Sequence, residues 1–415
     1  MNVTIKKLGK HSTVSAAILT IFSGAASAQS LERPLALTAR QSFTHDSNVF
    51  QLSSSSAVPS IYGTSKKSDF ISTTAVGLSY GNSFGTQNFS LSGDLSRVQY
   101  ASLDQLNRTT YQVAGRLDGD LSPIFYYGLN AGSSRLGTLF ANQTGFAPNL
   151  VTSQNVGANL GFRFNPTWST FVGIDRISRE NSAVGLLSSD TKILGREIGL
   201  RYQPQSGIDV SAVARNVSNS FGAAQTFDSL GNPLPVGVSN NNDQRQIFLR
   251  VSYQPTAISS VTTEIGRSSV NYDSFAQRNS SGLLLRTSYN YSLSDAWSLS
   301  GRLTRDTSVA GAAFASNVIN TGVGVAANWK ATARTSFRAN YDVSQRDFKD
   351  DPSVILGSGI RRKDTLSSVG VGATYELLRT VNVNLNLARN SRSSNVAAFQ
   401  SNSNTVMLSA DWVLR

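Results

Sequence analysis

The sequence predicts an all-β fold, a transmembrane antiparallel up-and-down β-barrel of about 18 strands with both termini periplasmic. Three observations carry this: period-two alternation in segment after segment, aromatic residues gathered at one end of the apolar parity, and connections that alternate between short and long. The stretch Leu283 to Leu303 shows the first two. Leu283, Leu285, Thr287, Tyr289 and Tyr291 share one parity, and Arg286, Ser288 and Asn290 share the other. After Ser294, Asp295 and Ala296, the apolar parity resumes at Trp297, Leu299 and Leu303, which reads as a β-hairpin. Aromatics banded at the end of an apolar surface mark a membrane interface.

The chain opens with Lys6, Lys7 and Lys10 ahead of an apolar run from Val14 to Ala26, followed by the small-residue pattern Ala26, Ser27, Ala28. This reads as a secretory signal over residues 1–28, cleaved after Ala28 and leaving a single barrel domain over 29–415. The apolar run is too short to span a bilayer comfortably. Nothing after it approaches the roughly twenty consecutive apolar residues of a membrane helix, so any crossing is made by strands. At 40% hydrophobic and 15% charged the chain is apolar enough to fold. There is no cysteine, and hence neither a disulfide nor a thiolate metal site. Loss of the three signal lysines lowers the net charge from +12 to about +9. No basic helix or recognition motif accompanies that surplus, which excludes nucleic acid as the expected partner. An exported basic chain points instead to an anionic polymer or lipopolysaccharide phosphate.

Approximate strand spans are 35 to 43, 69 to 80, 88 to 100, 108 to 121, 124 to 138, 152 to 165, 168 to 181, 191 to 203, 208 to 220, 242 to 254, 259 to 272, 280 to 293, 297 to 309, 316 to 330, 334 to 348, 362 to 378, 381 to 393 and 402 to 414. Each is long enough for the roughly nine to eleven residues of a tilted membrane strand. Short connections fall at Ser122-Pro123, Asn165 to Thr167, Gln203 to Gly207, Gln254 to Ile258, Ser294 to Ala296, Lys330 to Ala333 and Leu378 to Thr380. Longer ones include Thr44 to Ser68, Phe140 to Val151, Ser182 to Asp190, Gly222 to Asn241 and Lys349 to Arg361. Short turns on one side and long loops on the other, with an even strand number, place the turns and termini in the periplasm. Trp168, Tyr202, Tyr253, Tyr291, Trp297, Trp329, Tyr375 and Trp412 then form a periplasmic aromatic girdle. A propeller would need four short strands per repeat, where this chain offers two long ones.

The opposite parity forms the inner face. It carries Arg40, Arg116, Arg163, Arg201, Arg250, Arg286, Arg302 and Arg338, with Asp94, Asp118, Asp175, Glu197, Asp209, Glu264, Asp342 and Asp411 among the acids. An arginine at mid-bilayer on the lipid face would cost on the order of 2 to 4 kcal/mol, which gives the assignment physical force. These residues either guide an anionic or polyhydroxylated solute or hold the wall open as salt bridges. Gly322, Gly324, Gly370 and Gly372 leave inner space free. Eighteen strands about 4.8 Å apart and tilted about 40° enclose a cylinder roughly 35 Å across, so the lumen holds water, a folded-in loop or another protein. No cofactor or metal is expected. His45 is the one histidine beyond the signal, and no triad or ligand spacing surrounds it. A turn in which Asp46 and Asn48 accept backbone hydrogen bonds accounts better for that segment.

The last strand, Val406, Leu408, Ala410, Trp412 and Leu414, has the pattern of a barrel-closing strand read by the barrel-assembly machinery, although the chain ends in Arg415 rather than an aromatic. Asp46-Ser47-Asn48-Val49-Phe50, after one strand and before a chain of hairpins, resembles the EpsL-like β-barrel porins associated with exopolysaccharide biosynthesis operons. The resemblance implies an outer-membrane barrel that helps an exopolysaccharide chain leave the cell, with periplasmic polysaccharide-export proteins as partners. It brings no catalytic residues. A diffusion porin for small anions or other small solutes is the alternative.

Overall fold

In a computed structural model, residues 35–138, 148–183, 190–204, 207–222, 241–274, 276, 279–309, 317–349 and 362–414 are described. The proposed signal segment lies outside them, as do most of the long loops around 139–147, 223–240 and 350–361.

The described residues form an 18-stranded sheet in which every strand pairs with its chain neighbours. The strands are β1 (Leu35–Asp46), β2 (Asp69–Phe84), β3 (Gln87–Tyr100), β4 (Arg108–Asp120), β5 (Phe125–Gly137), β6 (Leu150–Arg163), β7 (Trp168–Asn181), β8 (Thr191–Tyr202) and β9 (Ile208–Phe221). They continue as β10 (Asn242–Thr256), β11 (Ser259–Tyr272), β12 (Ser280–Ser292), β13 (Trp297–Val309), β14 (Asn317–Lys330), β15 (Thr335–Lys349), β16 (Lys363–Leu378), β17 (Val381–Ser394) and β18 (Ser401–Leu414). β1 pairs antiparallel with β18 from Leu37↔Leu414 to Asp46↔Thr405, which closes the sheet into a barrel and leaves no edge. Leu35 and Leu414 both lie at the end that carries the short turns.

Alternation decides the faces. Leu37, Phe43, Val76, Leu95, Val156, Ile198, Leu249, Val325, Val371 and Leu408 are large apolar side chains left exposed, and all share the outward parity. In water such a belt would be untenable; in a bilayer it is the solvated surface. At the turn end the belt is bounded by aromatics in contact. Trp168 packs on Tyr202 with ring centroids 4.8 Å apart, and Trp297, Trp329 and Phe337 stack in sequence at 5.4 and 5.5 Å. Tyr253, Tyr291, Tyr375 and Trp412 take the same parity at the same end of their strands.

Two departures from the sequence reading concern the wall. β2 and β3 run on to a two-residue turn at Gly85 and Thr86, whereas the sequence pattern ends these strands at 80 and 88. Gly85 takes φ 60°, which a two-residue hairpin turn requires of its first central residue. Asn82, Ser83 and Asn88 lie past the apolar belt, so pairing there continues without the alternation that signals a strand.

The second departure is a seam. β11 and β12 stay paired to Val270↔Ser280, and β13 and β14 to Val309↔Asn317, but β12 and β13 part after Leu285↔Arg305. Beyond that point the β13–β14 hairpin bends across the inner faces of β10 to β12. Gln244 Nε2 on β10 donates to the Thr307 carbonyl of β13 at 3.1 Å and to Ser268 Oγ of β11 at 2.8 Å. Ser268, Val270 and Leu284, all of inward parity, are buried beneath it.

Candidate functional site

The inner parity is a mosaic of short polar side chains and ion pairs. Arg116 meets Asp118 at 2.6 Å, Arg163 meets Asp120 at 2.7 Å, and Arg201 donates through Nε to Asp209 at 2.9 Å. Arg215 joins Asp175 at 2.7 Å and Glu197 at 3.7 Å. Arg302 reaches Asp342 at 2.6 Å, and Arg40 pairs with Asp411. The longest run crosses four strands: Arg250 to Glu264 at 2.8 Å, Glu264 to Arg286 at 3.0 Å, and Arg286 to Asp306. Of the ten residues expected to line the pore, Arg116, Arg163, Arg201, Arg250, Arg286, Arg302, Asp175, Glu197 and Glu264 all sit in these pairs. Arg338 takes the same inward parity opposite Gly372 and is exposed.

The inner glycines do not leave space free, contrary to the sequence reading. A Cβ on Gly324 would stand 2.6 Å from Arg302 Nε and also strike Asp342, because that ion pair lies flat across β14. Asn340 covers Gly370 and Asn386 covers Gly372 in the same way. The glycines let charged side chains lie along the wall rather than project into the channel.

Among the described residues, the inner wall away from the seam is left uncovered. Ser92, Asp94, Gln112, Asn130, Asn290 and Arg302 face inward and stand exposed. The loop end is narrower, and Asp46 to Phe50 help to narrow it. Asp46 Oδ1 accepts the Asn48 N–H at 2.8 Å and the inward Ser403 hydroxyl at 2.5 Å. Asn48 ties the loop to itself and to the wall: Oδ1 accepts the Leu52 N–H at 3.0 Å, and Nδ2 donates to the carbonyls of Leu52 and Asn402. Ser47 exchanges two hydrogen bonds with Asn404. Val49 and Phe50 drop into an apolar cluster with Leu52, Tyr62, Leu103 and Leu106, in which Phe50 is 1% exposed. Tyr100 and Asp69, both of inward parity, anchor that cluster; the Asp69 carboxylate accepts the Ser102 and Leu103 N–H groups. The loop after β1 is therefore packed over the lumen side of the wall.

His45 is turned the other way, outward, with its ring 4.7 Å from Phe70. It and Asp46 point to opposite faces of the wall and form no dyad.

The sequence reading missed the charge cluster on the neighbouring arc of the mouth, on β15 to β17, one strand beyond β18 from the β1 loop. Asp364, 0% exposed, is held by Arg362 Nη2 at 2.7 Å and Arg392 Nη2 at 2.6 Å, and Arg346 is its cross-strand partner on β15. The Arg362 guanidinium lies over the Phe399 ring at 3.5 Å and the Phe348 ring at 4.3 Å. Three guanidiniums around one carboxylate leave a local positive surplus where the lumen opens. Inward parity marks all three arginines in the sequence, Arg362 as the first residue of the expected span 362 to 378; in the structure it stands just before β16, which begins at Lys363.

Comparison with known proteins gives a partial match. Residues 256–412 match the sequence model of a family described as "Putative beta-barrel porin 2", a match that runs from β11 through β17 and most of β18 but covers less than half of the chain. No curated protein matches. Among solved structures, OccK2 (OpdF) of Pseudomonas aeruginosa in complex with glucuronate is similar at 11% identity and a TM-score of 0.47, over 92% of this chain and 98% of that one. OccK9 (OpdG) of the same organism is similar at 13% and 0.47, with the same coverage. OccAB3 of Acinetobacter baumannii is similar at 8% and 0.46, again over 92% and 98%.

Proposed function

We propose that this chain is an outer-membrane diffusion porin for small polar solutes, with a preference for anions. The observation that carries the reading is the lumen wall of a closed barrel: polar residues open to solvent at mid-height, with charges paired along the wall rather than across the channel. A solute passing such a wall meets hydroxyls, amides and neutralised ion pairs. The net positive field comes from the Arg346, Arg362 and Arg392 cluster at the mouth, where focusing between low-dielectric walls raises the local anion concentration.

In this reading residues 1–28 are a signal cleaved after Ala28, and the termini and short turns face the periplasm. Lipopolysaccharide surrounds the belt, and the barrel-assembly machinery inserts the chain. Export of an exopolysaccharide chain through periplasmic partners, implied by the resemblance, draws no particular support from the lumen. The Asp46 to Phe50 segment that carried the resemblance is used in folding a loop.

Deleting the gene, with a complemented strain as control, separates the two. The porin reading expects slower uptake of small anions with surface polysaccharide unchanged. Loss of surface polymer, restored on complementation, with anion uptake unaltered would replace it by the export reading.

A further inference from the structure

Basic residues on the outward face, eight arginines and one lysine, behave unlike those inside. Arg97, Arg135, Arg176, Lys192, Arg196, Arg245, Arg267, Arg305 and Arg389 all have lipid-facing parity and are exposed. None has an ion-pair partner among the described residues. The contacts that Arg97, Arg267 and Arg305 do make are to threonine or serine hydroxyls on the next strand. Four of the nine converge over β7 to β11. Arg196 and Arg245 lie directly across from the same residue, Asn216 of β9, one on each side. Arg176 is diagonal to Arg196, and Arg267 is diagonal to Arg245. The Asn216 Oδ1 between them is buried without a hydrogen-bond partner.

One register step towards the turn end, the same five strands form a groove. Its outward lining is Ile198, Leu200, Ala212, Ala214, Ile247 and Ile265, and its volume is about 560 Å³. Ala212 and Ala214 are small beside the branched residues of β8 and β10, so the surface sinks along β9. On the lumen side Phe171, Val213, Phe248 and Leu284 back it as a packed floor.

Height fixes what can occupy this pair of features. Arg176 and Arg245 stand eight residues beyond the girdle residues Trp168 and Tyr253, and Arg196 six beyond Tyr202. At about 2.5 Å of height per tilted residue, these Cα atoms lie about 15 to 20 Å above the girdle, against an apolar band about 25 Å tall. Guanidiniums there reach up to the interface, and unneutralised they would be costly so close to hydrocarbon.

The geometry points to a binding site for one phosphorylated glycolipid of the outer leaflet, the lipid A moiety of lipopolysaccharide. Arg176, Arg196, Arg245 and Arg267 hold its phosphates, and the β8–β10 groove takes an acyl chain. The cationic arc and the apolar groove match the two halves of that molecule in the order in which the leaflet presents them. The assignment rests on the orientation proposed above, with the loop end outward.

The test is binding of purified bisphosphorylated lipid A to the purified full-length barrel in detergent, read by native mass spectrometry. Inorganic phosphate and phosphatidylglycerol vesicles serve as separate arms. Bound lipid A is expected to resist millimolar phosphate and to exceed phosphatidylglycerol binding. It should fall at least tenfold in Arg196→Gln/Arg245→Gln/Arg267→Gln and in the groove-filling Ala212→Phe/Ala214→Phe. Arg97→Gln/Arg135→Gln, away from the groove, is the control and should bind as wild type. Heat-modifiable migration on gels reports folding of each variant; if the alanine variants misfold, the arginine set decides alone. Undiminished binding in the arginine variant, displacement by phosphate, or equal binding of phosphatidylglycerol would each overturn the site. Channel conductance of the same samples is read separately, so a barrel that binds lipid A without conducting contradicts the porin reading and leaves the site standing.

Discussion

Glu264 accepts from Arg250 and Arg286 at once and is 4% exposed. Breaking a buried pair by removing one partner leaves its charges uncompensated, which outweighs what the intact pair contributes. Glu264→Gln should therefore destabilise the barrel by on the order of 3 kcal/mol. A lower temperature for loss of the compact gel species would show it, and an unchanged midpoint would mean the wall does not depend on this pair. Phe50 and Tyr62 make a different case, since their rings pack 4.7 Å apart in a loop rather than in the wall. Phe50→Ala should cost about 3 to 5 kcal/mol of loop packing. It should raise conductance while the barrel's own melting stays put. Burial pushes the Tyr62 phenol above its ordinary value of 10.0. The loop's preference for the neutral phenol stabilises it fully below that value and is lost as pH rises through the higher folded value. Channel current should thus grow above about pH 10 in wild type and stay flatter in Tyr62→Phe. Period-two parity made the wall residues legible in the sequence. It could not reveal pairing, since Arg163 meets Asp120 from a turn-end residue two strands away. The outward arginines are equally legible by parity, since each falls on the apolar register of its strand.

At the scale of elements, every strand was readable because membrane strands must be long and two-faced. The seam between β12 and β13 was not. The extra pairing of β13 with β14 continues in good alternation while its partner on the other side is lost, and alternation carries no information about which neighbour is present. A Cβ on Gly282 of β12 would lie 3.0 Å from Thr307 Oγ1 of β13. In a chain without cysteine, Gly282→Cys/Thr307→Cys should therefore form a disulfide on oxidation with no competing thiols. Thiol titration before and after oxidation checks this; two persistent free thiols would show that the hairpin does not lie across β12. The sequence predicts a turn held by Asp46 and Asn48 after β1, and both carboxylate and amide accept backbone N–H groups there. Its inward packing depended on Leu103 and Leu106 from another loop, which no local pattern announces.

For the molecule as a whole, closure through β1 and β18, the exposed apolar belt and the paired, solvent-open lumen describe one object: a wide tube whose wall is electrically quiet and whose loop end is narrowed on two arcs. The first arc is the loop after β1, and the second is the β13–β14 hairpin with the arginine cluster around Asp364 beside it. The measurement that tests this most directly is the current through purified protein in a planar bilayer under a salt gradient. Steady, ohmic single-channel conductance is expected, with a reversal potential on the anion side that moves towards neutrality in Arg346→Gln/Arg392→Gln. A folded barrel that inserts and passes no current, or one that selects cations, would contradict it.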